Sequence, residues 1–346
     1  MSDSIPIKNI YYMLSYAFQV LNQDCYKNLS GEPFKNLADM FAAILQKGIE
    51  NQIKKYLNRE YIIEKESLSC LRGKIEVSDS INTLAFLNKR LVCSYDEFSI
   101  DSYMNRILKS TVSCLIRSEI SKQRKLRLKY LLGYFTNVKE IDLHRVNWKI
   151  QYNKNTQTYR MLMGICYLFS KGLLQTQSDG KLKLMDFLDE QRMCRLYEKF
   201  ILEYYKKEHK EIAANSSEIK WHLNDDNDYM LPSMQSDIML SKNNRVLIID
   251  AKYYAHSTQV QFEKHTVHSA NLYQIFTYVK NKEAELSEKE HEVSGMVLYA
   301  QNLENHLPAN DYIMSGNKIS VRTLDLNCDF PEIRKQLDCI CNSFFK

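Results

Sequence analysis

Apolar residues recur every three or four positions through most of the first half of the chain. This spacing places them on one face of a helix. Between residues 61 and 99 the apolar runs become short and strand-like, in YIIEKE, KIEVS and RLVCSYDEF, and Gly73 suits a turn or a close backbone approach. The first half is therefore predicted to be helix-rich with a small β-sheet. Its predicted helices are Ile10 to Leu21, Leu37 to Leu57, Ser102 to Ile120, Leu126 to Phe135 and Thr158 to Leu174.

The second half combines helical spacing with several consecutive strands. Consecutive strands with helices between them predict a central mixed sheet flanked on both faces, rather than strict alternation of strand and helix. The predicted helices are Phe187 to Lys207, Ala270 to Lys280 and Pro331 to Phe345; the predicted strands are Ser236 to Leu240, Arg245 to Lys252, Gly295 to Ala300 and Lys318 to Leu326; a polar loop is predicted from Ala255 to Ser269.

The fold class that follows is α+β or mixed, with a helix-rich N-terminal domain and an α/β C-terminal domain built on a mixed sheet. A length of 346 residues favours two domains, each with a substantial core. The polar turn QTQSDGKLKL around Gly180 predicts the boundary between them. The predicted domains are residues 1–185 and 186–346.

Composition and charge narrow the functional classes only slightly. Lys and Arg exceed Asp and Glu by 47 − 42 = +5, which permits a phosphate-backbone partner without requiring one. The N-terminus lacks the pattern of a signal peptide, and no uncharged apolar run approaches the roughly 18 residues needed to span a bilayer. We therefore expect a cytoplasmic protein without a membrane partner. One helix has a basic edge that is either a solvated face or a nucleic-acid contact: Lys122, Arg124, Lys125, Arg127 and Lys129.

The stretch MQSDIMLSKNNRVLIIDAKYY, residues 234–254, places acids and a lysine at the ends of two apolar runs. The two-residue period of a strand puts Asp250 and Lys252 on one face. A hairpin through the five-residue connection Ser241 to Arg245 would bring Asp237 close to both.

Two carboxylates that close together repel by about 4 kcal/mol at 4 Å and intermediate dielectric, and a cation must offset this repulsion. Mg²⁺ takes one or two carboxylates and shares oxygens with a phosphate, while a lysine orients water or stabilises developing negative charge. These are the parts needed for metal-assisted phosphodiester hydrolysis. The alternative is an ion pair that only caps a buried hairpin, and the spacing alone does not separate the two interpretations.

Two flanking segments bear on this choice. Glu198, in LYEKFILEYY, lies beside an apolar helical stripe and is either a further metal-site acid or a solvated glutamate. Gln274 and Tyr278 are four residues apart and so share one helix face. From that face they would reach DNA or orient the lysine, although a tyrosine in a core-packed helix is also ordinary.

In this order, Glu198, Asp237, Asp250-Ala-Lys252 and Gln274-x-x-x-Tyr278 resemble the PD-(D/E)xK nuclease superfamily, with Ser236 in place of the usual proline. The chain as a whole, from Pro6 to the C-terminal helix, resembles the McrC subunits of McrBC-type modification-dependent restriction systems. The stretches that carry this second resemblance are IPIKNIYYMLSYAF, RGKIE, SYDEFSIDSYMNRILKST, IIDAKYY and HSANLYQ.

The resemblance implies a restriction-endonuclease-like C-terminal domain that cleaves DNA with Mg²⁺. Asp237, Asp250 and Glu198 would be metal ligands, and Lys252, Gln274 and Tyr278 would join the two aspartates in catalysis. It also implies a separate McrB-like AAA+ GTPase hexamer as partner, double-stranded DNA with modified cytosine (5-methylcytosine) as substrate, and self-association of two assemblies. The N-terminal domain would dock on the partner and stimulate its GTPase.

GTP is expected to bind the partner and not this chain. A phosphate loop ending at Gly180-Lys181 would need glycine at Gln175 and serine or threonine at Leu182. Two other functions stay open: a stand-alone, RecB-like DNA exonuclease, and a catalytically inactive assembly subunit that only activates the GTPase. A nuclease assay without GTP or partner separates the first of these from a partner-dependent endonuclease.

Overall fold

The computed structural model describes residues 5–18, 29, 32–154, 156–173, 190–225, 227–254, 258–261, 264–288, 290–301 and 307–345. The chain forms two compact units. One, the discontinuous unit, combines Met1–Glu32 with Asp186–Lys346, and the other, the inserted unit, is Pro33–Met185. The predicted boundary turn at Gly180 lies outside the described residues.

Helices and strands are numbered in chain order within the described residues. The helices are α1 (Ile7–Ala17), α2 (Leu37–Lys54), α3 (Val77–Asn82), α4 (Tyr103–Arg117), α5 (Lys122–Leu132), α6 (Gln157–Leu173), α7 (Glu190–Glu208), α8 (Ser269–Glu285) and α9 (Phe330–Phe345). The strands are β1 (Glu60–Leu68), β2 (Lys74–Ile75), β3 (Leu91–Ser99), β4 (Ala213–Asn215), β5 (Glu218–Ile219), β6 (Met234–Gln235), β7 (Ile238–Lys242), β8 (Arg245–Lys252), β9 (Thr258–Gln261), β10 (Lys264–Val267), β11 (Glu292–Ala300), β12 (Asn310–Met314) and β13 (Asn317–Leu324).

The inserted unit has the predicted character, helices interrupted by one small sheet. Its strands form an antiparallel sheet in the order β1-β3-β2. The side chains of Asn36, Ser102 and Ser121 accept hydrogen bonds from the first turns of α2, α4 and α5, and such N-caps satisfy backbone N–H groups that have no partner within the helix. At Gly73 φ is +69°, and a Cβ there would lie 2.3 Å from the carbonyl oxygen of Ser94, so the predicted close backbone approach is confirmed.

A six-stranded mixed sheet organises the discontinuous unit, in the order β12-β13-β11-β8-β7-β4. Strands β8, β11 and β13 run parallel to one another, whereas β7 is antiparallel to β8, β4 to β7, and β12 to β13. The apolar run Val246–Ile249 lies in β8, a central strand buried along almost its whole length. The predicted mixed architecture, with a central mixed sheet in the second half, is confirmed.

Helix α8 packs closely on the sheet because β11 carries a glycine where the helix crosses it. A Cβ at Gly295 would lie 2.8 Å from side-chain atoms of both Ile275 and Val279 in α8. These two residues share one apolar core with Ile248 of β8. Asp250 and Lys252 follow Ile248 at two-residue intervals, so they lie on the face of the sheet that α8 covers.

Two sequence predictions are wrong in detail. The connection between β7 and β8 is a two-residue turn, Asn243-Asn244, rather than five residues, because asparagine tolerates the left-handed backbone that Asn243 adopts at φ +55°. The predicted polar loop at residues 255–269 contains the antiparallel pair β9 and β10, whose strand pattern is hidden by polar side chains. Strands β4, β5, β6 and β12 are also absent from the prediction, since each is short or lies at an edge.

Helix α1 belongs to the discontinuous unit by its packing. Asn9 donates from Nδ2 to the carbonyl oxygens of Leu326 and Cys328, at 2.7 and 2.8 Å. The rings of Tyr12 and Phe330 stack with their centroids 4.2 Å apart. Helix α1 therefore packs with residues 186–346. The predicted role of residues 1–185 in docking on the GTPase stays a prediction. None of the helices in the described part of the chain combines the length and apolar character needed to cross a bilayer.

Candidate active site

The end of the β7–β8 hairpin brings together Asp237, Asp250 and Lys252. The strand register pairs Ile238 with Ile249, and its continuation by one residue places Asp237 opposite Asp250. Oδ2 of Asp237 accepts a hydrogen bond from the backbone N–H of Ala251 at 2.9 Å, and Lys252 Nζ donates to Asp250 Oδ1 at 2.8 Å. The three predicted residues thus form one cluster, as the hairpin prediction requires.

Asp250 is the most deeply buried member, with only 1% of its side chain exposed. Burial raises its pKa to about 7, the charge of Lys252 opposes this shift, and the charge of Asp237 adds to it. Burial also raises the pKa of Asp237, with Lys252 again opposing. The pKa of Lys252 is raised by Asp250 against the effect of its own burial, so the lysine stays protonated.

One acceptor in the cluster receives no N–H donor among the described residues: Oδ2 of Asp250 is fully buried, and the neighbouring carboxyl of Asp237 hydrogen-bonds to Asp250 only when one of the two acids carries a proton. Buried carboxylate oxygens are normally satisfied, because leaving one unpaired costs the full desolvation penalty. An ion pair that only caps a hairpin would need one acid for its lysine. Here two acids share a single lysine, and an acceptor is left over.

This acceptor set fits a hard divalent cation such as Mg²⁺, which uses one or two protein carboxylates and takes its other ligands from water and phosphate. Within the described residues, no group of three or more His, Cys, Asp or Glu side chains is arranged to hold a metal ion by itself. Asp237 and Asp250 are the two residues that would hold such an ion.

Glu198 of α7 faces the same place without completing such a group. Burial raises its pKa, and the nearby charge of Asp237 raises it further. The Cys194 thiol donates to Glu198 Oε1 at 3.1 Å. A glutamate held beside Asp237 and half-buried differs from a solvated helix residue, but its role as a metal ligand stays a prediction.

A cleft of about 450 Å³ opens beside Asp237. Asp237 and Glu198 line it together with two cationic side chains of α7, Arg195 and Lys199. The other lining residues are Leu202, Ser216, Gln235 and Ser236. A polyanion approaching the acids through this opening would pass the two cations.

Gln274 and Tyr278 share one face of α8, as predicted, and are hydrogen-bonded to each other: Gln274 Nε2 donates to Tyr278 OH at 2.9 Å. Tyr278 is buried in the core between α8 and the sheet. Among the described residues, neither side chain is hydrogen-bonded to Asp237, Asp250 or Lys252. Their helix lies on the face that holds the acids, yet a direct role in orienting the lysine stays a prediction.

Three residues beside Lys252 are not among the predicted site residues. The register of β8 and β11 pairs Lys252 with Tyr299, which accepts a hydrogen bond from Asn271 Nδ2 at 2.8 Å. The ring of Tyr254 lies 6.2 Å from that of Tyr299. Asn271 lies three residues before Gln274, so helical spacing gave a signal for it. The pairing of β8 with β11 has no comparable signal in the sequence.

The chain is similar to known restriction-system proteins over most of its length. A model of the family described as McrBC 5-methylcytosine restriction system component matches residues 5–293. The Type IV methyl-directed restriction enzyme EcoKMcrBC of Escherichia coli (strain K12) is 28% identical over 354 residues, a match that spans 99% of each chain.

Two solved structures from Thermococcus gammatolerans are also similar. A chain of the half-complex from the tetradecameric assembly of McrB AAA+ hexamers with bound McrC has 19% identity and a TM-score of 0.51, covering 97% of this chain and 76% of that one. The cryo-EM structure of the McrBC complex gives 22% identity and a TM-score of 0.42 over 58% of each chain. At this identity the first match establishes a shared fold.

The family model covers well over half of the chain, and the match to the Escherichia coli enzyme runs nearly from end to end. The chain therefore belongs to the family of McrBC 5-methylcytosine restriction system components, and the resemblance to McrC subunits predicted from its sequence is confirmed.

Proposed function

We propose that this chain is the DNA-cleaving subunit of its restriction complex, a Mg²⁺-dependent endonuclease that acts with a McrB-like AAA+ GTPase hexamer. The observation that carries the proposal is the cluster of Asp237, Asp250 and Lys252, with an unsatisfied buried oxygen on Asp250. A restriction complex needs a phosphodiester-cleaving centre, and this cluster has the required parts.

Each side chain has a distinct part in the proposed chemistry. Asp237 and Asp250 would hold Mg²⁺, with Glu198 as a further acid at the edge of the cleft. The ion would supply a positive charge that stabilises the phosphate as negative charge develops on it. Lys252, fixed by Asp250 at 2.8 Å, keeps its proton and presents a cation to the same phosphate. Gln274 and Tyr278 would hold the adjoining wall of the site.

The inserted unit is proposed as the part that docks on the GTPase. The solved Thermococcus relative is McrC bound to McrB AAA+ hexamers. On the inserted unit, Tyr61 is 75% exposed and its cross-strand neighbour Phe98 is 50% exposed, with ring centroids 5.0 Å apart. Such paired apolar side chains on a surface are typical of a protein interface. Docking there would stimulate GTP hydrolysis by the partner.

The remaining parts of the proposal concern the assembly. The substrate is double-stranded DNA with modified cytosine, and GTP is bound by the partner. Two assemblies associate to cleave both strands. The expected site of action is the cytoplasm.

The test is a cleavage assay with the purified chain, its cognate GTPase, GTP, Mg²⁺ and methylated DNA. Asp250→Asn and Lys252→Ala should each lower cleavage at least 100-fold, because removing one transition-state charge contact costs on the order of 10²–10³ in rate. GTPase stimulation should stay intact in both variants.

Asp311→Asn is the matched control, since Asp311 is an ion-paired aspartate of the same sheet, 3.2 Å from Lys318 and remote in sequence from the cluster. It should cleave like the unaltered chain. Cleavage that survives both Asp250→Asn and Lys252→Ala would rule out the site. Absence of cleavage by the unaltered complex, with GTPase stimulation present, would favour an inactive assembly subunit, and end degradation without GTP or partner would favour an exonuclease.

A further inference from the structure

Helix α5 of the inserted unit carries a basic surface that the proposed nuclease chemistry does not use. The chain has no acidic residue between Ile120 and Lys139, and α5 itself contributes Lys122, Arg124, Lys125, Arg127 and Lys129. A segment of this length without a single acid has nothing on its own helix to neutralise the charge.

The two arginines on α5 are committed to the fold. Arg124 Nη1 lies 2.6 Å from Asp39 Oδ2, and both side chains are largely buried. Arg127 Nε lies 2.7 Å from Glu50 Oε1. Because Asp39 and Glu50 both belong to α2, these pairs fasten α5 to α2 and orient its opposite face outward.

Lys122, Lys125 and Lys129 lie on that opposite face. Their spacing of three and four residues aligns them along one side of the helix over two turns, about 10 Å. None of the three forms an ion pair with any described residue, in contrast to the two arginines. Three cations over about 10 Å correspond to the spacing of roughly three phosphates along one DNA strand, at about 3.4 Å each along the axis.

An exposed apolar edge accompanies the lysines. Leu126 is 70% exposed and Tyr130 is 57% exposed, both next to the lysine row by helical spacing. The hydroxyls of Tyr130 and Tyr134 are 3.1 Å apart, and the guanidinium of Arg127 lies over the Tyr130 ring at 5.2 Å. The tyrosine is thereby held in place with a hydroxyl able to donate to a phosphate oxygen.

We propose that the α5 surface formed by Lys122, Lys125, Lys129 and Tyr130 binds the phosphate backbone of duplex DNA, as a contact separate from the nuclease cleft. The inference rests on the proposed function in one respect, that DNA is the polyanion this protein meets. Lysine point charges and a tyrosine hydroxyl carry no base-reading geometry, so the contact is independent of sequence and of cytosine modification.

The test measures binding of a short, unmodified duplex to the full-length Asp250→Asn chain by fluorescence anisotropy, without Mg²⁺ or GTP, over a range of KCl concentrations. Each lysine–phosphate contact contributes about 0.9 to the slope of log affinity against log salt. Replacing Lys122, Lys125 and Lys129 together by alanine should reduce the slope by about 2.7 and weaken binding at least tenfold at low salt. The triple change to arginine should preserve the slope.

The matched control removes the same charge from exposed lysines of the discontinuous unit, as Lys8→Ala, Lys210→Ala and Lys220→Ala together, and should leave the slope unchanged. A triple change to glutamine on α5 guards against an effect of alanine on folding, and thermal unfolding is measured for every variant. Equal slopes for the α5 variants and the parent, or absence of duplex binding by the parent, would overturn the proposal.

Loss of affinity for the partner GTPase with unchanged DNA binding would also overturn it, because α5 would then be a protein-docking face. The proposed nuclease function has its own test, which is the cleavage assay on the chain with Asp237, Asp250 and Lys252 intact. A slope difference without any cleavage would leave the α5 contact standing and reject the nuclease assignment.

Discussion

Two buried aspartates, Asp39 and Asp250, differ in how many of their carboxylate oxygens have hydrogen-bond partners. Asp39 has partners on both oxygens: Oδ1 accepts from the N–H of Ser121 at 2.9 Å, and Oδ2 from Arg124 Nη1 at 2.6 Å. Asp250 keeps one buried oxygen without a partner. Full satisfaction is what a structural carboxylate needs, and the buried oxygen without a partner is consistent with the proposal that Asp250 holds a metal ion.

The structural aspartate gives a prediction for stability against pH. Burial would raise the pKa of Asp39, but its bonds with Ser121, Lys35 and Arg124 outweigh burial and lower it. The stabilisation is therefore complete above the usual value near 3.8 and is lost as pH falls through the lower folded pKa. Asp39→Asn should lower the free energy of unfolding by about 3 kcal/mol at neutral pH. It should also reduce the further loss of stability at acid pH, as measured by urea unfolding at a series of pH values.

Asp79→Asn is the comparison for this experiment, because the ion pair of Asp79 with Lys65 is exposed to solvent and contributes little to stability. If Asp39→Asn and Asp79→Asn had equal effects, the interior pair would not be the source of the acid sensitivity.

Asp250, the aspartate proposed to hold the metal, gives a different prediction. Burial and the charge of Asp237 already disfavour the charged form of Asp250, so Asp250→Asn removes an unfavourable buried charge together with the ion pair to Lys252. The thermal unfolding midpoint should therefore fall less than it does for Asp39→Asn, even as cleavage falls at least 100-fold. Differential scanning fluorimetry of the isolated chain, without added metal, measures this. A large drop in the midpoint would mean that the acid is needed for the fold.

The sequence was informative about these residues to different degrees. The contact of Asp250 with Lys252 was predictable because residues two apart in a strand lie on the same face of the sheet. Tyr254 follows Lys252 at the same two-residue interval, so that period gave a signal for it. Tyr299 had none, because its place beside Lys252 depends on which strand pairs with β8, and a parallel partner more than 40 residues away along the chain has no local signal.

Among the elements, α8 shows how one small residue positions a site. The helix carries Gln274 and Tyr278, and its approach to the sheet depends on Gly295, where a Cβ would lie 2.8 Å from Ile275 and Val279. Gly295→Ala should destabilise the discontinuous unit by about 1–3 kcal/mol through overpacking and should lower cleavage by displacing α8. Chemical denaturation together with the cleavage assay tests both effects.

Gly133→Ala is the control, since nothing lies within 4 Å of a Cβ built there and the residue already has helical backbone angles. It should be neutral or stabilise slightly, by up to about 1 kcal/mol. Equal losses at Gly133 and Gly295 would show that backbone entropy, rather than the close approach of α8, sets the cost.

Elements with strong periodicity were the predictable ones, and their ends were less so. The helices Leu37–Lys54 and Gln157–Leu173 begin within one residue of their predicted starts, because an apolar stripe identifies a helix wherever it packs. The β9–β10 pair was missed because its side chains are mainly polar, so the backbone pairing determines the structure there and the hydrophobic pattern does not.

At the scale of the whole molecule, the proposed docking on the GTPase and the proposed DNA cleavage belong to different units and can be tested separately. If the inserted unit docks on the GTPase through the exposed Tyr61–Phe98 pair, Tyr61→Ser with Phe98→Ser should weaken partner binding and GTPase stimulation at least tenfold, since aromatic residues dominate interface energies. Pull-down and GTP hydrolysis assays measure this. Ile313→Ser, which removes an equally exposed apolar side chain from β12, should have no effect.

The division of the chain was only partly predictable. The chain length predicts two units, but it does not predict to which unit α1 belongs. The apolar face of an amphipathic helix shows that the helix is packed, and does not identify the element against which it packs. Its contacts with residues as distant as Phe330 are decided by tertiary structure.

That arrangement of α1 has a consequence for synthesis on the ribosome. Tyr16 OH donates to Glu208 of α7 and the Tyr12 ring stacks on Phe330 of α9, so α1 meets its first partners only after α7 has been translated and its last only after α9 has. The inserted unit, by contrast, has all of its residues once Met185 has been added. The discontinuous unit is thus completed last, after the part proposed to dock on the GTPase is already available to fold, and a chain truncated before α9 would leave α1 without its contact to Phe330.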